Sequence, residues 1–483
     1  MNSAIRRLAV AAIILMLALM ANSTYLQAFR AGDLNARNDN RRVRDSQFSV
    51  DRGPILIGST PIAQSKPSND RFEFQRTYAS GPVYAPVTGF YSYLYGRAGI
   101  ELTQNSELNG SDPSMAFRRV IDVITNRRQQ GASVTLTLNA AAQQAAYAGL
   151  SGKTGAVVAI EPKTGRVLAL ATRPSYDPNK LASHDLDEVS AAWKQLNEAP
   201  TKPMANRAVK ELYPPGSTFK LVTAAAALSS GKYTPETKVP SPAELPLPQT
   251  TVPLVNENGQ NCGGSDNATL TVALRNSCNT AFGSIGLDLK ADALREQAAK
   301  FGFGERQLPE LGAVASRFPA DPNEPQTAQS AIGQYDVQAT PLQMAMVAAG
   351  IANKGEVMKP YLVQSVKTQD LKTVSETKPE SLHQAVTPEV SAQLTQMMVD
   401  VVANGTGRPG RIDGVDVAGK TGTAQTSKER PPFAWFTAFA PANDPKVAVA
   451  VIIEDANIPR NDIAGGTLAA PIAKRVMEAV LGE

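Results

Sequence analysis

Glu211-Leu212-Tyr213-Pro214-Pro215-Gly216-Ser217-Thr218-Phe219-Lys220 runs on into Leu221-Val222-Thr223-Ala224-Ala225-Ala226-Ala227-Leu228. Two prolines and a glycine stop whatever precedes them and release a helix, whose first turn is expected to carry Ser217 and Lys220. Residues three apart on a helix share a face, so hydroxyl and amine should lie side by side. The continuation is apolar almost all round, which predicts a buried helix. A buried lysine cannot easily stay charged, and a neutral amine beside a serine is a base beside a nucleophile. The rest of the chain is read as the wall of a pocket around this pair.

At 483 residues the chain is too long for one ordinary domain. Its formal net charge of +4 is small for that size and gives no reason to expect nucleic acid as a partner. Arg6 and Arg7 precede an uncharged run over residues 8–29, continuously apolar over 8–21. The apolar centre has the size of a signal peptide, and with its extension the run can span a bilayer. Met20 and Asn22 make a poor cleavage site around Ala21, so residues 1–29 are read as an uncleaved signal anchor. No other stretch is long and apolar enough, which predicts a single-pass membrane protein. Cys262 and Cys278, the only cysteines, are expected to form a disulfide in an exported chain. A zinc site would need His184 and His383 too, and neither lies at ligand spacing from the cysteines, so no metal is expected.

Residues 30–149 begin polar and Arg-rich, as a stalk would, and continue in short mixed segments with a helix expected near residues 113–128. Val134 and Leu136 alternate with threonines as in a strand, and Asn139 is placed to cap a helix running to Leu150. Two apolar runs, 155–161 and 166–171, are joined by Pro162-Lys163-Thr164-Gly165 and read as a β-hairpin. Helices are expected over 269–276, 280–289, 344–353, 391–404 and 468–481, and strands over 419–426, 433–440 and 447–454. Hairpin and late strands together predict an antiparallel five-stranded sheet flanked by helices, an α/β sandwich, with residues 150–483 as one domain.

Three short motifs, S-x-x-K, S-x-N and K-T-G, define a known acyl-transfer chemistry in combination, while each alone is weak. S-x-x-K occurs at Ser217 with Lys220, at Ser229 with Lys232 and at Ser375 with Lys378; only the first opens an apolar helix. S-x-N occurs as Ser277-Cys278-Asn279 and as Ser265-Asp266-Asn267. The latter sits in a Gly-rich loop, where Asp and Asn serve turns, whereas Ser277 interrupts two helical stretches that would hold its hydroxyl rigidly. K-T-G occurs as Lys153-Thr154-Gly155, Lys163-Thr164-Gly165 and Lys420-Thr421-Gly422. The middle copy is a hairpin turn. The late copy starts a strand whose glycine would let a substrate backbone approach, and it is preferred.

With the order Ser217, Ser277, Lys420, the chain resembles the class B penicillin-binding proteins, and within them the cell-division type. The flanks Tyr213-Pro214-Pro215-Gly216, Asn276-Ser277-Cys278-Asn279-Thr280, Thr340-Pro341-Leu342-Gln343 and Ala418-Gly419-Lys420-Thr421-Gly422-Thr423-Ala424 carry the likeness, as does Arg52-Gly53-Pro54-Ile55. Tyr335 departs from it, standing where many relatives have a glycine. The resemblance implies a penicillin-binding transpeptidase (β-lactamase-like) fold on an elongated N-terminal module of the dimerisation type. It implies that Ser217 is acylated by D-Ala-D-Ala stem peptides, with Lys220 as base, Ser277 as proton relay and Asn279 on the substrate amide. Thr421 and Thr423 would receive the terminal carboxylate beside catalytic Lys420, Gly422 would let the substrate backbone approach, and the backbone N–H groups of Ser217 and Thr423 would form the oxyanion hole. It implies no cofactor, β-lactams as inhibitors, stem peptides on nascent glycan strands as substrate, and a separate membrane glycosyltransferase and division proteins as partners. The catalytic domain would lie on the extracytoplasmic side. A serine β-lactamase uses the same motifs but would not need the long N-terminal module and anchor, and a membrane β-lactam sensor would normally need more membrane spans or a cytoplasmic effector.

Overall fold

The computed structural model describes residues 3–30, 33–34, 45, 47–113, 130–427 and 429–482. The helix expected near residues 113–128 lies almost wholly outside these. α1 (Ser3–Ala28) is exposed throughout and is, among the described residues, the one helix long and apolar enough to cross a membrane.

A first sheet has β1 (Ile55–Ile57), β2 (Thr60–Pro67), β3 (Phe74–Tyr78) and β4 (Ser133–Leu136) joined by β7 (Val363–Lys367) and β8 (Thr373–Glu376), in the order β8-β7-β4-β1-β2-β3. The early module thus shares a sheet with residues from far down the chain, which the sequence reading did not anticipate. The core of the module is tied by one carboxylate between two guanidinium groups. Arg52 Nε lies 2.6 Å from Glu101 Oε2 and Arg76 Nε 2.7 Å from Oε1, all three residues being buried. Burial alone would push the Glu101 carboxyl up; Arg76 and Arg52 outweigh it and hold the group below its usual range.

The second sheet carries the site. β5 (Thr154–Ile160) and β6 (Val167–Arg173) form the hairpin; β9 (Ala418–Ala424), β10 (Phe433–Ala440) and β11 (Val447–Asp455) complete the order β9-β10-β11-β5-β6, every pair antiparallel. The strands are apolar without alternation because both faces are covered. Ala156, Val158 and Ile160 enter one core, Val157 and Ala159 the other. On one side lies α6 (Pro341–Ala352), which Thr340 caps by accepting from Gln343 N. On the other lie α2 (Ala140–Gly149), capped by Asn139, and α8 (Ala470–Leu481). This is the α/β sandwich with a five-stranded antiparallel sheet that the sequence implied.

The same side as α6 also holds α3 (Lys220–Ser229), buried over nearly its full length, α4 (Leu270–Arg275), α5 (Asn279–Lys300) and α7 (Pro388–Asn404). α5 is broken at Lys290 (φ 68°, ψ 166°), just past the expected end at Leu289, and a second helical segment continues from there to Lys300. Cys262 and Cys278 are joined in a disulfide that closes the loop leading into α4 and α5.

Candidate active site

The stretch before Ser217 is fixed from both sides. Tyr213 pairs with Ala339 through both backbone groups, and buried Trp435 on β10 donates Nε1–H to Pro214 O at 3.1 Å. Gly216 adopts φ +53° and donates its N–H to Gly333 O at 2.9 Å. Thr218 Oγ1 donates to Pro215 O at 2.7 Å. Under these restraints Gly216–Phe219 forms a 3-10 turn, and α3 begins only at Lys220. The expectation that Ser217 rides in the first α-helical turn is corrected accordingly. The prolines and the Gly216 contact with Gly333 wind that segment tighter than an α-helix.

Ser277 sits at φ +60° between α4 and α5. For a serine that conformation costs about 1 kcal/mol or more, and helix ends usually assign it to glycine. Its N–H reaches Leu274 O and the N–H of Cys278 reaches Ala273 O, closing the end of α4. The strain therefore places a hydroxyl where a glycine would place nothing. Lys420 Nζ donates to that Ser277 Oγ at 2.8 Å and to Thr421 O at 2.9 Å. Lys220 Nζ donates to Ser277 O at 2.6 Å and to Asn279 Oδ1 at 2.8 Å, and lies 3.4 Å from Ser277 Oγ. The amine of α3 is thus anchored on the S-x-N residues.

Both lysines are fully buried. Burial, then the neighbouring charge of Lys420, hold Lys220 well below the ordinary lysine range, with Glu257 opposing them. Burial brings Lys420 down to about 7, again against Glu257. An amine so held accepts a proton at neutral pH, as a general base must.

A cavity of about 490 Å³ opens at Ser217 and is walled by Asn279, Thr423, Gln425, Gln334 and Tyr335 among others. A Cβ on Gly422 would meet Thr218 and Pro215, and Thr421 Oγ1 is 2.6 Å from Thr406 Oγ1. The structure brings Ser217, Lys220, Ser277, Asn279, Lys420 and Thr423 together across about 200 residues of sequence. It leaves the other motif copies outside. Lys232 faces Asp288, Ser375 lies on edge strand β8, and Lys163 faces Asp444 from the hairpin turn. Lys153 reaches Ser151 O, and Ser265 Oγ accepts from Asn267 N within a loop. His184 and His383 pair with Asp70 and Glu305, and no metal-ligand cluster occurs among the described residues.

Sequence reading missed Gln329, Gln334, Gln425 and Glu257 in this wall because none belongs to a motif. Tyr335 it noted only as a departure; its φ of +60° is the conformation a glycine there takes without strain.

Comparison with known proteins agrees with this geometry. Residues 155–478 match the penicillin binding protein transpeptidase domain, and residues 52–134 the penicillin binding protein A dimerisation domain. Over its whole length the chain is 44% identical to all of the peptidoglycan D,D-transpeptidase PbpA of Mycolicibacterium smegmatis. It is 43% identical to that of Mycobacterium tuberculosis, again over 100% of this chain and 99% of the relative. The ceftriaxone acyl-enzyme complex of penicillin-binding protein A from M. tuberculosis superposes with a TM-score of 0.88 at 43% identity, over 90% of this chain and 100% of that one. Its penicillin G acyl-enzyme complex gives 0.85 at 43% identity, over 89% and 100%. The protein belongs to the penicillin-binding protein transpeptidase family.

Proposed function

We propose that the protein is a peptidoglycan D,D-transpeptidase that forms its acyl-enzyme on Ser217. Ser217 Oγ attacks the carbonyl of a penultimate D-alanine, and neutral Lys220 takes the hydroxyl proton. Ser277 relays a proton to the departing D-alanine amine. Asn279 holds the substrate amide, while Lys420 with Thr421 and Thr423 receives the terminal carboxylate. The N–H groups of Ser217 and Thr423 line up as the oxyanion hole, where preformed donors are worth most. An amine from a second stem peptide then releases the acyl group as a cross-link. The observation that carries this reading is Ser277 Oγ, bonded to Lys420 Nζ and 3.4 Å from Lys220 Nζ, which joins all three motifs in one proton network beside Ser217.

In the same reading α1 is a single-pass anchor, residues 30–149 a pedestal and residues 150–483 the catalytic domain, held outside the cytoplasm. A separate membrane glycosyltransferase and division proteins are its partners. Labelling with fluorescent penicillin followed by peptide mapping tests the central claim. A label on Ser217 that persists for minutes is expected, and Ser217→Ala abolishes it. A label elsewhere, or turnover within seconds as in a β-lactamase, contradicts the reading.

A further inference from the structure

The cavity at Ser217 adjoins a second one of about 440 Å³, walled by Asn258, Gln260, Asn261 and Asn276 and reaching Ser277. The two share Asn256 and Glu257. Among the described residues, Glu257 is the only charged side chain in either wall; it makes no direct hydrogen bond or ion pair, and its charge acts from a distance on buried Lys220 and Lys420. The backbone that carries it is nonetheless fixed. Buried Asn256 donates to Gln260 O at 2.9 Å and to Thr280 Oγ1 at 3.0 Å, and Thr280 N donates back to Asn256 Oδ1 at 3.1 Å. Asn279 Nδ2 donates to Val255 O at 3.0 Å. The segment before Glu257 is thus fastened to the start of α5, and the segment after it is closed by the Cys262–Cys278 disulfide.

An exposed carboxylate that is the one charge in the walls of two amide-rich cavities favours a cation there. The peptide that acylates Ser217 ends in a carboxylate and is repelled there; the amine that must later attack is an ammonium in water. We propose that the second cavity receives the acceptor peptide and that Glu257 holds its amino group at the entrance to the acyl-enzyme. This rests on Ser217 carrying the acyl group. The ammonium sheds one proton to solvent as it passes Glu257. Its nitrogen then bonds the acyl carbon, the ester bond to Ser217 Oγ breaks, and a second proton passes from nitrogen through Lys220 to Ser217 Oγ. Glu257 is here a positioning residue on the acceptor side.

The test uses a thioester acyl donor lacking any amino group and an acceptor peptide with a free side-chain amine, and it reads the ratio of aminolysis to hydrolysis. In Glu257→Gln the ratio at sub-saturating acceptor should fall about fivefold or more through a raised acceptor KM, as expected for one partly exposed ion pair. Glu257→Asp should recover part of it. In the wild-type protein added salt should lower the same ratio, which needs no variant to fold. A ratio indifferent to Glu257→Gln and to salt overturns the assignment, as does a parallel loss of aminolysis and hydrolysis. Failure of penicillin to label Ser217 in the wild type would instead strike the transpeptidase reading itself.

Discussion

Gly333 is the perturbation that most directly tests how the nucleophile is positioned. It lies at φ +73°, and a Cβ there would stand 2.2 Å from Gly216 O and 2.7 Å from Phe219 Cβ. Gly333→Ala pays about 1 kcal/mol for a left-handed backbone with a side chain. Relieving the overlap adds about 1–3 kcal/mol, because the only escape is to push the Gly216–Phe219 turn away from residue 333. Spread over the unfolding entropy of a domain this large, the total of about 3 kcal/mol should lower Tm by about 4–5 °C. A displacement of about 1 Å at Ser217 should also slow acylation by about a hundredfold. Gly304→Ala is the control: at φ +90° with nothing within 4 Å of its Cβ, it bears the backbone cost without the clash. The assay is the second-order rate of fluorescent-penicillin acylation alongside thermal melting. If folded Gly333→Ala reacts within about threefold of wild type, the turn is not held by residue 333 and the reasoning fails.

The two buried lysines make stability depend on pH. Their folded pKa values lie below the unfolded value, so between about pH 7 and 10 the unfolded chain binds protons that the native one does not, and stability rises with pH. Lys420→Met, neutral throughout, should gain about 2 kcal/mol less than wild type between pH 7.5 and 9.5 in urea unfolding; equal gains would show that Lys420 stays charged. The disulfide spans 16 positions, and replacing both cysteines by serine should cost about 3 kcal/mol in the chain-entropy model. That double variant should melt earlier, whereas the Tm of wild type in reductant should move toward it; a Tm unmoved by either change removes the disulfide from the account.

The strongly local parts of this protein were legible in its residues. Asn139 and Thr340 announced their helices, the hairpin around Pro162-Lys163-Thr164-Gly165 formed as read, and the buried apolar character of residues 220–228 followed from their composition. Motif order and setting also selected Ser217, Ser277 and Lys420 over their duplicates, because a decoy's neighbours announce a turn or an exposed loop. Residue pattern alone did not reveal that Lys220 would bind Ser277 O and Asn279 rather than Ser217, since helical spacing gives proximity but not the competing acceptors on another helix. Nor did it show that the charge of Glu257 is felt by both lysines, or that residues 363–376 pair with the N-terminal module. Such contacts join segments separated by tens to hundreds of residues. Their registers follow from the summed burial of whole faces and the exclusion of alternatives, to which each single residue contributes only about 1–3 kcal/mol. The sequence by itself determined the chemical kinds of group available, and only the tertiary structure decided which amine, hydroxyl and carboxylate meet.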